Sequence, residues 1–180
     1  ASRDDLNKEI TERKEAENKL MISEEKYRTI FETSQVGMAL CEMDGTLVDV
    51  NQGYLNMIGY DKEEVLNLTY WDITPRDYEE NEKEQLRSIA KTGRYGPYEK
   101  EYICKDGSRI PVVLTGTVVK GEDGVMRIWS LVHDITERKQ AEHQISQFKT
   151  TSDMMHDSIY MFHPDSMRFF YVNREASNEV

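Results

Sequence analysis

Hydrophobic positions near the start of the chain recur at three-, four- and seven-residue steps. Leu6, Ile10, Leu20, Tyr27 and Phe31 follow this spacing, Arg13 interrupts it, and Glu and Lys fill much of the remainder. Neither Gly nor Pro occurs before Gly37. The period predicts a helix over residues 1 to about 33 with one thin apolar edge. Such a helix either packs on a partner helix or stands as a solvated rod. From Gln35 the period changes to two. "VGMALCEMDGTLVDVN" alternates around Asp44-Gly45, a hairpin signal. Asn51 is placed to cap a short helix, "NQGYLNMIGY". Asp61 and Glu64 have capping-box spacing ahead of Val65 and Leu66. Thr74 followed by Pro75 predicts a further helix over 76–91 that stops near Gly93.

Three strands follow. "YEKEYICKDGSRIPVVLTGTVV" folds about Asp106-Gly107, and "VMRIWSLVHDIT" comes after the "GEDG" turn at 121–124. With a three-residue loop at Asp106-Gly107, Tyr102 opposes Ile110, Lys100 opposes Val112 and Tyr98 opposes Leu114. Every hairpin is local, so the expected class is α+β. It has a five-stranded antiparallel sheet, short helices gathered on one face, and linker helices at both ends.

The chain then repeats itself. "EITERKEAE" (Glu9–Glu17) returns as "DITERKQAE" (Asp134–Glu142). Beyond it, Ala141, Ile145, Phe148, Ser152 and Met155 keep helical spacing, and alternation resumes in "IYMFHPDSMRFFYVN". At an offset of 122, Asn173 falls under Asn51, so the unit repeats and not merely the phrase. The expected organisation is a linker helix over 1–23, a complete module over 24–136, a second linker helix over 137–156, and the start of a second module over 157–180. The two strands of that second module are too few to close a core, and docking on another copy or on the first module is expected for them. The joints differ in length: Ile10 to Gly37 is 27 residues and the matching Ile135 to Ile159 is 24, close to one helical turn less. Unequal linkers of this kind would set different rotations along a parallel helical dimer.

Composition narrows the partners. The 180 residues carry a net charge of −11, which repels a polyanion, so nucleic acid and an anionic membrane surface are poor partners. Mean hydropathy is −0.72, as expected where long solvated helices are present. Cys41 and Cys104 form no CxxC, so neither zinc nor a disulfide framework is indicated, and a reduced, cytoplasmic setting is the simplest expectation. No run approaches ~18 apolar residues.

Three stretches in order carry a resemblance: "FETSQVGMALCEMDGTLVDVNQGYLNMIGYDKEEVLN" (Phe31–Asn67), "KDGSRIPV" (Lys105–Val112) and "HDITERKQAE" (His133–Glu142). Together they resemble the PAS sensory fold with its closing PAC motif. The resemblance implies a module found in tandem within sensor histidine kinases, cyclic-dinucleotide enzymes and related regulators. Such a module detects a small molecule, redox state or light, or simply dimerises. In the light-sensing branch a Cys bonds flavin; here the matching "NLTYWDIT" has Tyr70 in that place. In the haem branch a helix His ligates iron; here the matching place is Glu82, and 76–91 contains no His. Covalent flavin and His-ligated haem are therefore disfavoured. His143 lacks the acidic neighbour and the Pro of a phospho-accepting motif. No phosphate loop or Ser/His/Asp grouping stands at a recognisable spacing, so no catalytic or metal-ligating residue is assigned.

The resemblance places a ligand pocket between the sheet and the short helices. Strand alternation then selects the residues able to face it. They are Ala39 and Cys41 on the first strand, Tyr98, Lys100 and Tyr102 on the third, Val112, Leu114 and Gly116 on the fourth, and Ser130 and Val132 on the fifth. Met57, Ile58 and Trp71 cover the far side. Gly116 would leave room, and Lys100 would favour an acidic group, because a buried ammonium is costly unpaired. The set fits a small ligand or a filled core. The resemblance also gives Asp134-Ile135-Thr136 the role of coupling core to exit helix. Asp134 would cap that helix, with Lys105 and Arg109 available as its partners. The leading expectation is a non-catalytic sensory module, homodimeric through its linker helices, beside other PAS and output domains. A ligand-free dimerisation spacer is the alternative, and a small-ligand enzyme a third.

Overall fold

A computed structural model describes the backbone over residues 3–178 and side-chain environments over 7–177. The outermost residues of the first expected helix and of the second module, and the side chain of Leu6, lie outside the described residues. The chain divides into two units, one ending at Asp134 and one beginning at Ile135.

In the first unit a helix, α1 (Arg3–Thr33), leads into β1 (Gly37–Glu42) and β2 (Leu47–Val50). Two short helices, α2 (Gln52–Ile58) and α3 (Lys62–Val65), and a 3-10 turn (Arg76–Tyr78) precede α4 (Glu79–Thr92). Three long strands follow: β3 (Arg94–Ile103), β4 (Arg109–Lys120) and β5 (Met126–Asp134). The sheet is antiparallel throughout, in the order β2-β1-β5-β4-β3. The final strand therefore lies at its centre.

Local chemistry accounts for these elements. Asp44 and Asp106 each accept a hydrogen bond from the backbone two residues on, at Thr46 and Ser108, closing the two hairpins. The second loop fixes the expected register, with Tyr102 opposite Ile110, Lys100 opposite Val112 and Tyr98 opposite Leu114. Asp61 and Glu64 form the capping box of α3. The helix expected over 76–91 opens as a 3-10 turn after Pro75 and becomes α-helical from Glu79, ending at Gly93 in the left-handed region (φ 74°).

The concave sheet face buries Ala39, Cys41, Val50, Tyr102, Val112, Leu114, Ile128 and Val132 against Tyr54, Leu55, Ile58, Val65, Ile73 and Ile89 of the helical segments. Removing this apolar surface from water is the main force holding helices to sheet, at roughly 25 cal/mol per Å². On the opposite face, the last turns of α1 place Phe31 and Tyr27 against Trp129, with ring centroids 5.7 and 6.3 Å away.

Asn51 joins three elements. Its side-chain oxygen accepts from the N–H groups of Met38 (2.8 Å) and Tyr54 (2.9 Å). Its amide donates to the carbonyls of Phe31 (2.8 Å) and Val36 (2.9 Å). The end of α1, the start of β1 and the first turn of α2 are thus held by one fully buried side chain.

The second unit comprises α5 (Thr136–Asp153), β6 (Tyr160–Phe162), β7 (Phe169–Val172) and α6 (Arg174–Asn178). Asn173 repeats the bracket bond for bond. Its oxygen accepts from Ile159 (2.9 Å) and Ala176 (3.1 Å), and its amide donates to Ser152 (2.9 Å) and Asp157 (3.0 Å). Tyr160, Phe162, Phe169 and Phe170 remain exposed on the β6–β7 hairpin. No helix among the described residues is long and apolar enough to cross a membrane.

Candidate functional site

A cavity of about 40 Å³ lies between the concave sheet face and α2 and α4. All five strands, with Leu47 from β2 and Lys100 from β3, supply one wall, and α2, α4 and the segment that carries Tyr70 supply the rest. Alternation on β1, β4 and β5 turns Ala39, Cys41, Leu114, Ile128 and Ser130 inward. Glu82, Gln85, Leu86 and Ile89 fall on one face of α4 and close the other side.

Five tyrosines, Tyr54, Tyr70, Tyr95, Tyr98 and Tyr102, complete the lining. Tyr95 and Tyr98 are three positions apart, yet both face in. The β3–β4 register slips between them, at Gly96-Pro97, and resets the alternation. Tyr95 is then directly opposite Gly116, and its ring occupies the space a Cβ there would need. Its hydroxyl donates to Ser130 Oγ (2.8 Å).

Lys100 carries the charge at the centre. Its ammonium donates to Glu82 Oε1 (2.5 Å) and to Thr74 Oγ1 (2.9 Å), and the pair's side chains are 2% and 7% exposed. Tyr98 donates its hydroxyl to the same Glu82 oxygen. Thr74 passes its own proton to the Tyr70 carbonyl (2.7 Å). The ammonium also lies over the rings of Tyr102, Tyr70 and Tyr98, at 4.9, 5.4 and 5.8 Å from their centroids. One ion pair therefore ties α4, the segment before it and β3 together.

Burial pushes the Lys100 ammonium below its ordinary value, and the Glu82 charge restores part of the shift. Burial raises the phenols of Tyr54, Tyr70 and Tyr95, so they stay protonated at neutral pH. The Cys41 thiol is pushed up to about 12, which removes it as a nucleophile at neutral pH. A third charge in this space would meet both members of the pair. At an effective permittivity of 20, unit charges 4 Å apart interact by about 4 kcal/mol.

Of the residues expected here, Ala39, Cys41, Tyr98, Lys100, Tyr102, Leu114 and Ser130 line the cavity. Ile58, Val112 and Val132 are fully buried in the surrounding core, outside the lining. Met57 is partly buried, and its carbonyl receives the Cys104 thiol. Trp71 packs against Tyr70 in a tilted pair (ring centroids 4.9 Å apart) and faces a shallow surface groove. Gly116 leaves no room, because Tyr95 fills it. The acid that Lys100 was expected to find in a ligand is supplied by the chain itself, as Glu82. Sequence reading missed Glu82, Tyr54, Tyr70 and Tyr95. For Glu82 the signal was its spacing from Leu86 and Ile89.

Asp134 lies beside the beginning of β4 as expected, while Lys105 and Arg109 form ion pairs with other acids. Lys105 pairs with Glu64 (2.7 Å), and its N–H donates to the Ile58 carbonyl (2.9 Å), so it ties the β3–β4 loop to α2 and α3. Arg109 reaches Glu101 (3.2 Å) and Asp77 (3.5 Å). Asp134 ends β5 opposite Val112, and the N-cap position of α5 falls one residue later, on Ile135. Among the described residues, no group of three or more His, Cys, Asp or Glu could hold a metal ion.

The PAS-domain family model matches residues 35–137, more than half of the chain. This chain belongs to the PAS domain family. The PAS domain of an HTR-like protein from Haloarcula marismortui superposes with a TM-score of 0.59 at 28% identity, covering 68% of this chain and 99% of that one. The methyl sulfide methyltransferase-associated sensor of Methanosarcina acetivorans is 35% identical over 129 residues, 71% of this chain and 13% of that protein. The sensor histidine kinase TmoS of Ectopseudomonas mendocina is 26% identical over 133 residues, 72% and 14% respectively. The chain thus spans about a seventh of the length of these curated relatives. Its PAS domain contains the whole cavity, with β5 at the centre of the sheet.

Proposed function

We infer that this chain is a sensory and regulatory PAS module, non-catalytic itself, which relays a change in its cavity through α5 to an output domain. The observation that carries the reading is the position of β5. It contributes Ile128 and Ser130 to the cavity wall, pairs with both β1 and β4, and ends at Asp134, two residues before α5 begins. A shift of the sheet around the Lys100–Glu82 pair is thereby delivered along one continuous stretch of chain. Residues 24–136 form the complete module, 1–23 and 137–156 are linker helices, and 157–180 begin a second PAS domain, a reading supported by the repeated Asn bracket. The parent is a signalling protein with a histidine kinase or cyclic-dinucleotide output, working in the cytoplasm. Two buried free thiols, Cys41 and Cys104, support a reducing setting.

Filling the cavity tests the relay. Ser130→Leu places a bulky side chain in the space without touching α5. The expected result is altered hydrogen exchange in β5 and in the first turn of α5. Unchanged exchange in that turn, with the cavity demonstrably filled, refutes the relay. Pairing through α1 is a second reading with its own support, since Ile10, Leu20, Tyr27 and Ile30 are all exposed apolar residues on that helix. Sedimentation equilibrium checks it: a strict monomer at high concentration removes dimeric transmission.

A further inference from the structure

The cavity's polar groups are unevenly satisfied. Glu82 Oε1 receives both Lys100 and Tyr98, whereas Glu82 Oε2 has no hydrogen-bond partner among the described residues. The Tyr70 hydroxyl has none either, although its ring lines the space and lies under the Lys100 ammonium. Lys100 uses two of its three N–H groups, on Glu82 and Thr74. An open acceptor and an open hydroxyl therefore accompany an ion pair that is already closed.

Charge and size restrict what such a space accepts. The pair sums to zero. An anion drawn to Lys100 meets the Glu82 carboxylate on the same ammonium. A cation drawn to Oε2 meets the Lys100 ammonium, 2.5 Å from the neighbouring oxygen. Either ion would add an uncompensated third charge to a neutral pair in a desolvated space and meet repulsion from its like-charged member. A volume of about 40 Å³ favours a compact occupant over a cofactor-sized one. Leu114, Ile128 and Ile89 offer apolar contact for the rest of it.

We propose that the cavity takes a small uncharged molecule, an amide or alcohol of about four non-hydrogen atoms, which donates to Glu82 Oε2, engages the Tyr70 hydroxyl and leaves the Lys100–Glu82 pair closed. This deepens the sensory reading by naming the chemistry of its input and rests on it. The molecule would be read by hydrogen bonding and shape, and a bound state would add a bridge between α4, through Glu82, and the segment that carries Tyr70.

Three isosteres separate the possibilities, because acetamide, acetate and acetamidinium share one shape and differ in charge and in the donors and acceptors that go with it. Each is titrated into the full chain at pH 7 and followed by amide chemical shifts. The expected result is saturable shifts with acetamide, in the millimolar range, at Ile128, Ser130 and Gly116, with acetate and acetamidinium at least tenfold weaker. Tyr70→Phe removes a hydroxyl without a hydrogen-bond partner among the described residues, so the fold is kept, and it weakens acetamide at least threefold. Preferred binding of acetate, which would mean the pair opens for an anion, overturns the proposal. So does preferred binding of acetamidinium, shifts confined to the surface, or no saturable shift with acetamide. These failures leave the relay intact, since that reading falls only if a filled cavity leaves the first turn of α5 unchanged.

Discussion

Replacing Glu82 by Gln removes a charge and almost no volume, and isolates the worth of the buried pair. Lys100 keeps Thr74 and an amide oxygen but loses its counter-charge in a site where its side chain is 2% exposed. Breaking a buried pair by removing one partner costs about 3–5 kcal/mol. The structure also supplies a ceiling. Lys100 can escape the penalty by losing its proton, and from an ordinary value of 10.5 that costs about 4.8 kcal/mol at pH 7 (~1.36 kcal/mol per pH unit). The loss in Glu82→Gln is thus expected at about 3–5 kcal/mol at pH 7. The sign of its pH dependence follows. Burial holds the folded-state value below the unfolded one, so the unfolded chain binds more protons between the two, and stability rises with pH across that window. By pH 10 the ceiling falls to about 0.7 kcal/mol, and most of the loss is recovered. Urea denaturation followed by the fluorescence of Trp71 and Trp129, at pH 7 and pH 10, measures both. A Glu82→Leu/Lys100→Met double variant, with both charges gone, is expected near wild type and without this pH dependence. A loss below about 1 kcal/mol at pH 7, or one that persists unchanged to pH 10, refutes the argument.

Asn51→Ala leaves the Met38 and Tyr54 N–H groups buried without their acceptor and is expected to cost about 2–4 kcal/mol in denaturant melts. Faster hydrogen exchange over the last turn of α1 would accompany it. Gly116→Ala drives a methyl group into the Tyr95 ring and breaks its bond to Ser130, an overpacking expected to cost about 1–3 kcal/mol. Tyr95→Leu in the same chain should recover part of that loss, measured in the same melts. Cys41, with its thiol pushed up to about 12 and its side chain in the core, should resist Ellman's reagent at pH 8 in the folded protein and react at once in urea. Rapid labelling of the native state would contradict the burial described.

Local signals were the legible part of this fold. Asp-Gly pairs with a Ser or Thr beside them fixed the hairpins, and the loop length at Asp106-Gly107 fixed which residues of β3 and β4 face each other. Asn51 and the Asp61–Glu64 box announced their helices. The cavity was legible only where simple alternation holds, at Ala39, Cys41, Tyr98, Lys100, Tyr102, Leu114 and Ser130. Tyr95 was hidden because the bulge at Gly96-Pro97 changes the parity of the strand; the Gly-Pro pair was the signal for a bulge, but it does not say which side chains the bulge turns inward. Glu82 was hidden among the acids of a helix that reads as solvated: Glu79, Glu80 and Glu84 face away while one carboxylate turns inward to meet Lys100. The need of a buried ammonium for a partner was visible; that the partner came from α4 is a tertiary fact.

The two Asn brackets also provide a common landmark for measuring the helices they terminate. Counting back from the carbonyl each amide grips, Ile10 lies 21 residues before Phe31 and Ile135 lies 17 before Ser152. Four residues amount to a full turn plus about 40° and about 6 Å of rise. The duplicated phrase therefore meets its own clamp at a different azimuth in each half of the chain. A chimera that exchanged the two rods would need four residues inserted or deleted before the same stripe of side chains came back into line.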